Sequence, residues 1–163
     1  MQDFVHLHVH THYSLLDGQA SVSRLVDKAM KDGMKGIAIT DHGNMFGIKE
    51  FINYVSKKNK GLAPEERFKP IVGCEMYVAR RGKDKREGKQ DLGGWHLIVL
   101  TKNEKGYHNL IKLVSRAWTE GYYMHPRTDR QDLEKYHEGL IVCSACIGGE
   151  VPKKILNGQM EDA

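Results

Sequence analysis

The sequence predicts an α/β fold on two observations. Short apolar segments with the two-residue alternation of strands take turns with segments whose apolar residues recur at the helical period. Polar residues and glycine gather where the apolar segments end, which is where α/β folds of this kind build their sites. Such alternation predicts a largely parallel sheet or barrel.

Residues 4–10 read as a strand, with Val5, Leu7 and Val9 on one side and His6, His8 and His10 on the other. A helix is expected over residues 21–31, where Val22, Leu25, Val26, Ala29 and Met30 form one stripe. Ser21 can cap its start and Gly33 suits its end. Residues 36–40 make a short apolar strand that runs into Asp41-His42-Gly43. A second helix carries Ile48, Phe51, Ile52 and Val55 and dissolves in a polar stretch through Pro70. Residues 71–79, 95–101 and 139–144 give three further strands, and the Gly-rich, charged segment 80–94 reads as an exposed loop. A third helix over 104–118 carries Tyr107, Leu110, Ile111, Val114 and Trp118, and a last short helix begins near Glu150. There is no internal repeat, and the alternation stops at Ala163 before a barrel would close.

The 163 residues suit one domain with a real core, and 40% apolar with 28% charged residues is ordinary for a globular protein. No apolar run approaches the roughly 20 residues of a membrane span, and Met1-Gln2-Asp3 does not open a signal peptide. A cytoplasmic location without membrane contact is therefore expected. A net charge of +4 is compatible with a polyanionic substrate. Three cysteines, an odd count, argue for reduced thiols. The nine histidines are more informative, because four of them fall within residues 6–12.

Two histidines separated by one residue share a strand face, so His8 and His10 can reach one metal ion. His6 and His12 have the same parity, and spacing alone leaves the pair undecided. Asp41-His42-Gly43 places polar groups at the end of a buried strand, although the tripeptide also fits a plain turn, as does Asp17-Gly18. Glu75 stands inside a strand, where a carboxylate is costly to bury unless paired or metal-bound. The alternative is a solvated face of an edge strand. His96 opens the next strand, where a satisfied strand-end histidine is the default.

Cys143 and Cys146 form a Cys-x-x-Cys, but a structural zinc site would want a second ligand pair and Cys74 is alone. Cys143 reads as a small core residue, which leaves Cys146 free to act singly. The basic run Arg80, Arg81, Lys83, Lys85, Arg86 and Lys89 is interrupted by Asp84 and Glu87 and reads as a solvated loop.

The segments HLHVHTHYSLLDG, IAITDHGN and KPIVGCEMYV resemble the first motifs of the PHP (polymerase and histidinol phosphatase) family. The stretch from GWHLIVLTKNEKGYHNL to SACIGGE resembles the PHP domain of bacterial C-family replicative DNA polymerases. The resemblance covers nearly the whole chain. It implies a single domain over residues 1–163 with a PHP-type distorted (β/α)7 barrel, incomplete at its C-terminus. It also implies a cluster of divalent metal ions held by His8, His10, Asp17, His42, Glu75, His96 and Cys146, with Asp41 as a supporting group. The family's closing Asp-x-His motif and the polymerase carboxylates have no counterpart in these residues.

Zinc, manganese or iron would suit such mixed ligands. The implied chemistry is phosphoester hydrolysis, serving 3′–5′ proofreading in a longer polymerase, with DNA and other replicase subunits as partners. A non-catalytic scaffold and a free-standing phosphatase are the rival readings. The sequence places His96 at the start of a strand, not its end, and periodicity alone does not explain how it would join such a site.

Overall fold

Lys69–Val78 is the longest strand because apolar and β-branched residues run through it with no proline after Pro70. In the computed structural model, which describes residues 4–163, every other strand is arranged around it. The order along the chain is α1 (Val22–Lys31), β1 (Gly36–Ile39), α2 (Ile48–Lys58), β2 (Lys69–Val78), β3 (Trp95–Thr101), α3 (Glu104–Thr119), β4 (Arg127–Thr128), α4 (Arg130–Tyr136), β5 (Leu140–Cys143) and α5 (Glu150–Leu156). The sheet order is β1-β2-β3-β5, with β4 also on β2.

α1, α2, α3 and α5 form where the sequence placed them, and α4 is a short helix it did not announce. Ser21 caps α1 by accepting from Arg24 N, and Asn103 caps α3 by accepting from Gly106 N. Alternation along each strand sorts the core into layers. Ile37, Ile39 and Val72 pack with α1 and α2 around Val22, Val26 and Phe51. Cys74, Met76 and Val99 pack with α3 around Leu110, Leu113 and Val114. The opposite face of the sheet carries Ala38, Ile98 and Leu100, with Ile71 and Cys143 against them. Cys143 is thus the small packing residue the sequence suggested.

The sheet is mixed, which corrects the expectation of a largely parallel one. β1 and β4 run parallel to β2, whereas β3 is antiparallel to both β2 and β5. The reason lies in the connection. A parallel return needs a crossover helix, and residues 79–94 carry only the short 3-10 turn Gly88–Asp91, so the chain doubles back.

Residues 4–10 are not a regular strand either. Ala38 N donates to His6 O and Thr40 N to Val9 O, so the carbonyls facing β1 lie three residues apart instead of two. One extra residue bends the backbone at Leu7-His8 and leaves Leu7 exposed.

The loop after β2 is less solvated than its charges suggest. Arg81 pairs with Asp91 at 2.6 Å and with Glu87 at 2.9 Å, while Lys83 pairs with Asp132 and with Glu120. Arg127 is among the largest fully buried side chains, and its guanidinium donates to the carbonyls of Gly121, Asp91, Lys83 and Lys85 at 2.8–3.0 Å. One arginine therefore ties the loop to β4.

Candidate metal centre

On one flank of β2 the neighbours change along its length. β1 pairs with it only through Val72, and β4 joins at Tyr77. Between them the segment after β1 fills in: Glu75 N donates to Asp41 O, and Gly43 N donates to Glu75 O. Gly43 holds φ +60, a left-handed conformation that favours glycine. Splaying of β1 from β4 delivers Asp41 and His42 beside Glu75.

The antiparallel register explains His96. Tyr77 lies opposite His96 and Glu75 opposite Ile98, so all four share a face and His96 is the diagonal neighbour of Glu75. A residue at the start of a reversed strand reaches the same end of the sheet as residues at the ends of the others.

Glu75 is 1% exposed and surrounded by imidazoles. His8 Nε2 and His10 Nε2 lie 2.6 and 2.9 Å from its Oε2 and 3.1 Å from each other. His42 Nδ1 stands 3.7 Å from the same oxygen, and His96 Nδ1 lies against Oε1. Burial alone would raise the Glu75 pKa, but contacts from His10, His96 and His8 outweigh it and hold the carboxyl well below its usual range. His10 is shifted the other way: burial lowers its pKa, and Glu75 more than offsets this.

A buried relay fixes the tautomer of His10. Asp41 accepts from Thr11 N at 2.7 Å, Thr11 Oγ1 at 2.8 Å and Ser14 Oγ at 2.6 Å. Ser14 has one proton and gives it to Asp41, so its oxygen accepts from His42 N and from His10 Nδ1, at 3.1 and 3.0 Å. His10 therefore carries a proton on Nδ1, and its Nε2 faces Glu75 either as a second donor, in the imidazolium that Glu75 favours, or as a lone pair free for a metal. At 2.9 Å the nitrogen and the carboxylate oxygen share either a proton or a bound cation. His42 Nδ1 is buried beside them without a hydrogen-bond partner among the described residues. Both observations fit a divalent metal.

Three sets of side chains bring ligand atoms within 4.8 Å of one another: His8, His10 and Glu75; His10, Asp17 and His42; and His42, Glu75 and His96. Each pair of sets shares one residue. Asp17 enters through its bond to His42 Nε2 at 2.8 Å. Cys146 belongs to none of the sets, although its Sγ lies 3.6 Å from His96 Nδ1. Gly148 permits that approach, since a Cβ there would come within 3.0 Å of the His96 ring. The structure thus gathers six of the seven proposed ligands into these sets and the seventh beside them.

Sequence reasoning passed over three neighbours. Ser14 and Thr11 lie inside the first motif, but a hydroxyl in a polar loop carries no signal of its own. Tyr77 could have been found by parity with Glu75. It stacks near His42 and His125, at 6.0 and 4.6 Å between ring centres, and burial with the nearby Glu75 pushes its hydroxyl up to about 12.

The chain belongs to the PHP domain family, whose model matches residues 6–163. It is 51% identical to the DNA polymerase III subunit alpha of Borreliella burgdorferi over 98% of this chain. The same subunit of Treponema pallidum is 46% identical over 98%, and that of Aquifex aeolicus 43% over 91%. The match is to the N-terminal region of those proteins, and the chain spans 13% of their length. A solved Bifidobacterium adolescentis structure, an inferred metal-dependent phosphoesterase, overlaps at TM-score 0.48 and 19% identity, covering 72% of this chain and 34% of that one. That likeness is too slight to bear on function. No described helix is long and apolar enough to cross a membrane.

Proposed function

We infer that this chain is a metal-dependent phosphoesterase domain that serves 3′–5′ proofreading within a replicative DNA polymerase. The observation that carries the reading is the convergence of His8 Nε2 and His10 Nε2 on the buried Glu75 carboxylate, with the His10 ring held through Nδ1 by Ser14 and Asp41. His8, His10, Asp17, His42, Glu75, His96 and Cys146 would hold the ions. Bound zinc, manganese or iron would polarise a phosphodiester and lower the pKa of a coordinated water toward neutrality.

The chain's own residues prepare that chemistry. Glu75, held ionised, supplies charge at the centre of the histidines. Asp41 keeps the imidazole of His10 in its ligating tautomer. Asp17, exposed at the rim, orients His42 from the solvent side. DNA and the other replicase subunits are the partners this reading implies.

The test is metal analysis of the purified chain together with digestion of 3′-labelled single-stranded DNA in Mn2+ or Zn2+, with Glu75→Gln as control. The chain alone is expected to hold metal weakly and to release 3′ nucleotides slowly, and the control abolishes both. Tight metal without digestion would favour the scaffold reading, in which the ions only brace the fold.

A further inference from the structure

Across Gly43 from His42, three aromatic rings stand in solvent with no core function to explain them. Phe46 is 66% exposed, Tyr122 48% and Trp118 42%. Trp118 and Tyr122 are stacked at 5.6 Å with planes 19° apart, and Phe46 lies 6.4 Å from the Trp118 ring. Exposed groups of this kind are usually mobile and scattered, but these are built into place. The Trp118 indole donates to Gly43 O at 2.8 Å, and Asn44 Oδ1 accepts from Phe46 N while its amide donates to His42 O.

Gly43 joins the two features. Its N–H is bonded to Glu75 O and its carbonyl to Trp118, and it follows His42 directly. One Cα step and one hydrogen bond put the indole within roughly 10 Å of the His42 backbone. That separation is within reach of the last few nucleotides of a single strand. A cation lies close as well. Arg86 donates to Glu120 O, two residues before Tyr122, and forms no ion pair among the described residues.

We propose that Phe46, Trp118 and Tyr122 form a stacking platform for the bases of a single-stranded nucleic acid whose terminal phosphodiester lies at the metal centre. The proposal rests on the phosphoesterase reading above and names how that site would hold its substrate. Aromatic faces suit this task because every base has a π-face, so a strand end is held whatever its sequence. Arg86 is placed to meet a backbone phosphate beside the rings.

The experiment measures fluorescence anisotropy of a labelled short oligothymidylate titrated with the chain in EDTA, where no hydrolysis occurs. A labelled backbone of equal length lacking bases is titrated in parallel, as are Phe46→Ala and Tyr122→Ala. Both side chains are exposed enough that truncation spares the core, and circular dichroism of each variant verifies this. The expected result is saturable binding of the base-bearing strand, weakened about tenfold by either variant and by removal of the bases. Equal binding of both strands, binding unaffected by the variants, or no saturable binding would overturn the platform and leave the rings as a protein-facing surface. Hydrolysis of bis(p-nitrophenyl) phosphate with Mn2+, a diester without bases, reports separately on the metal centre. Activity there with no base-dependent binding rejects the platform alone, and base-dependent binding without hydrolysis rejects the phosphoesterase reading alone.

Discussion

His96 lies diagonally across the β2–β3 pair from Glu75, one strand over and two residues out of register, with its Nδ1 against the Glu75 carboxylate. This diagonal explains how four imidazoles from three separate segments meet one acidic group. It also makes Glu75 the residue whose loss should cost most. Glu75→Gln keeps the volume and removes the charge. Cation affinity, measured by calorimetric titration with Mn2+ or Zn2+, is expected to fall at least about a hundredfold, beyond the tenfold to hundredfold typical of an outer partner. Far-UV circular dichroism should be unchanged.

Asp41 belongs to none of the three ligand sets, yet it governs His10 through Ser14. In Asp41→Asn an amide can turn its N–H toward Ser14, freeing the serine proton for His10 Nδ1 and reversing the ring's tautomer. The expected result is about tenfold weaker cation binding. Nitrogen-15 shifts of His10 should report the change of protonated nitrogen, which mere loosening of the loop would not produce.

How much of this was legible beforehand depends on what each feature needs. The stripes of α1 and α2 were readable because one period decides which face is buried, whereas in α3 only Leu110 and Val114 of the five apolar residues named are buried. The direction of β3 was not, because it depends on what bridges residues 79–94, and composition says only that the segment is polar. The pair His8 and His10 came from the resemblance, and it meets Glu75 in spite of a misread backbone. The bend at Leu7-His8 displaces the carbonyl pattern, yet His8 and His10 both still reach Glu75. β4 escaped notice because two residues carry no period, and α4 went unread as well, although its cap, Asp129, accepts from Asp132 N.

A buried arginine is hard to foresee, since arginines are almost never fully buried unless partnered. Arg127 spends its donors on four backbone carbonyls that no shorter or unbranched cation can satisfy together. Arg127→Lys is expected to destabilise by about 3 kcal/mol. That corresponds to roughly 6–12 °C in Tm for a chain of this size, read by differential scanning calorimetry.

Asp91 gives the fold a dependence on acid. Arg81 beside it lowers its pKa from 3.8 to about 2. A carboxylate depressed in the folded state adds stability above its unfolded pKa, and this is lost as pH falls through the folded value. Asp91→Asn should therefore lower Tm at neutral pH. The gap to the wild type should narrow between pH 3.8 and about 2 and vanish below that window. A gap independent of pH would mean that the ion pair is not the cause.

His10, His42 and Glu75 each belong to two of the three ligand sets, so no substitution among them disturbs one cation position by itself. Titration of such a centre cannot be dissected ion by ion. His10→Ala and His42→Ala should each empty two positions, and the double variant should lose scarcely more than the harsher single one, a strongly non-additive pair. The site would load and empty as a unit, with a steep dependence on free metal in place of separate graded steps.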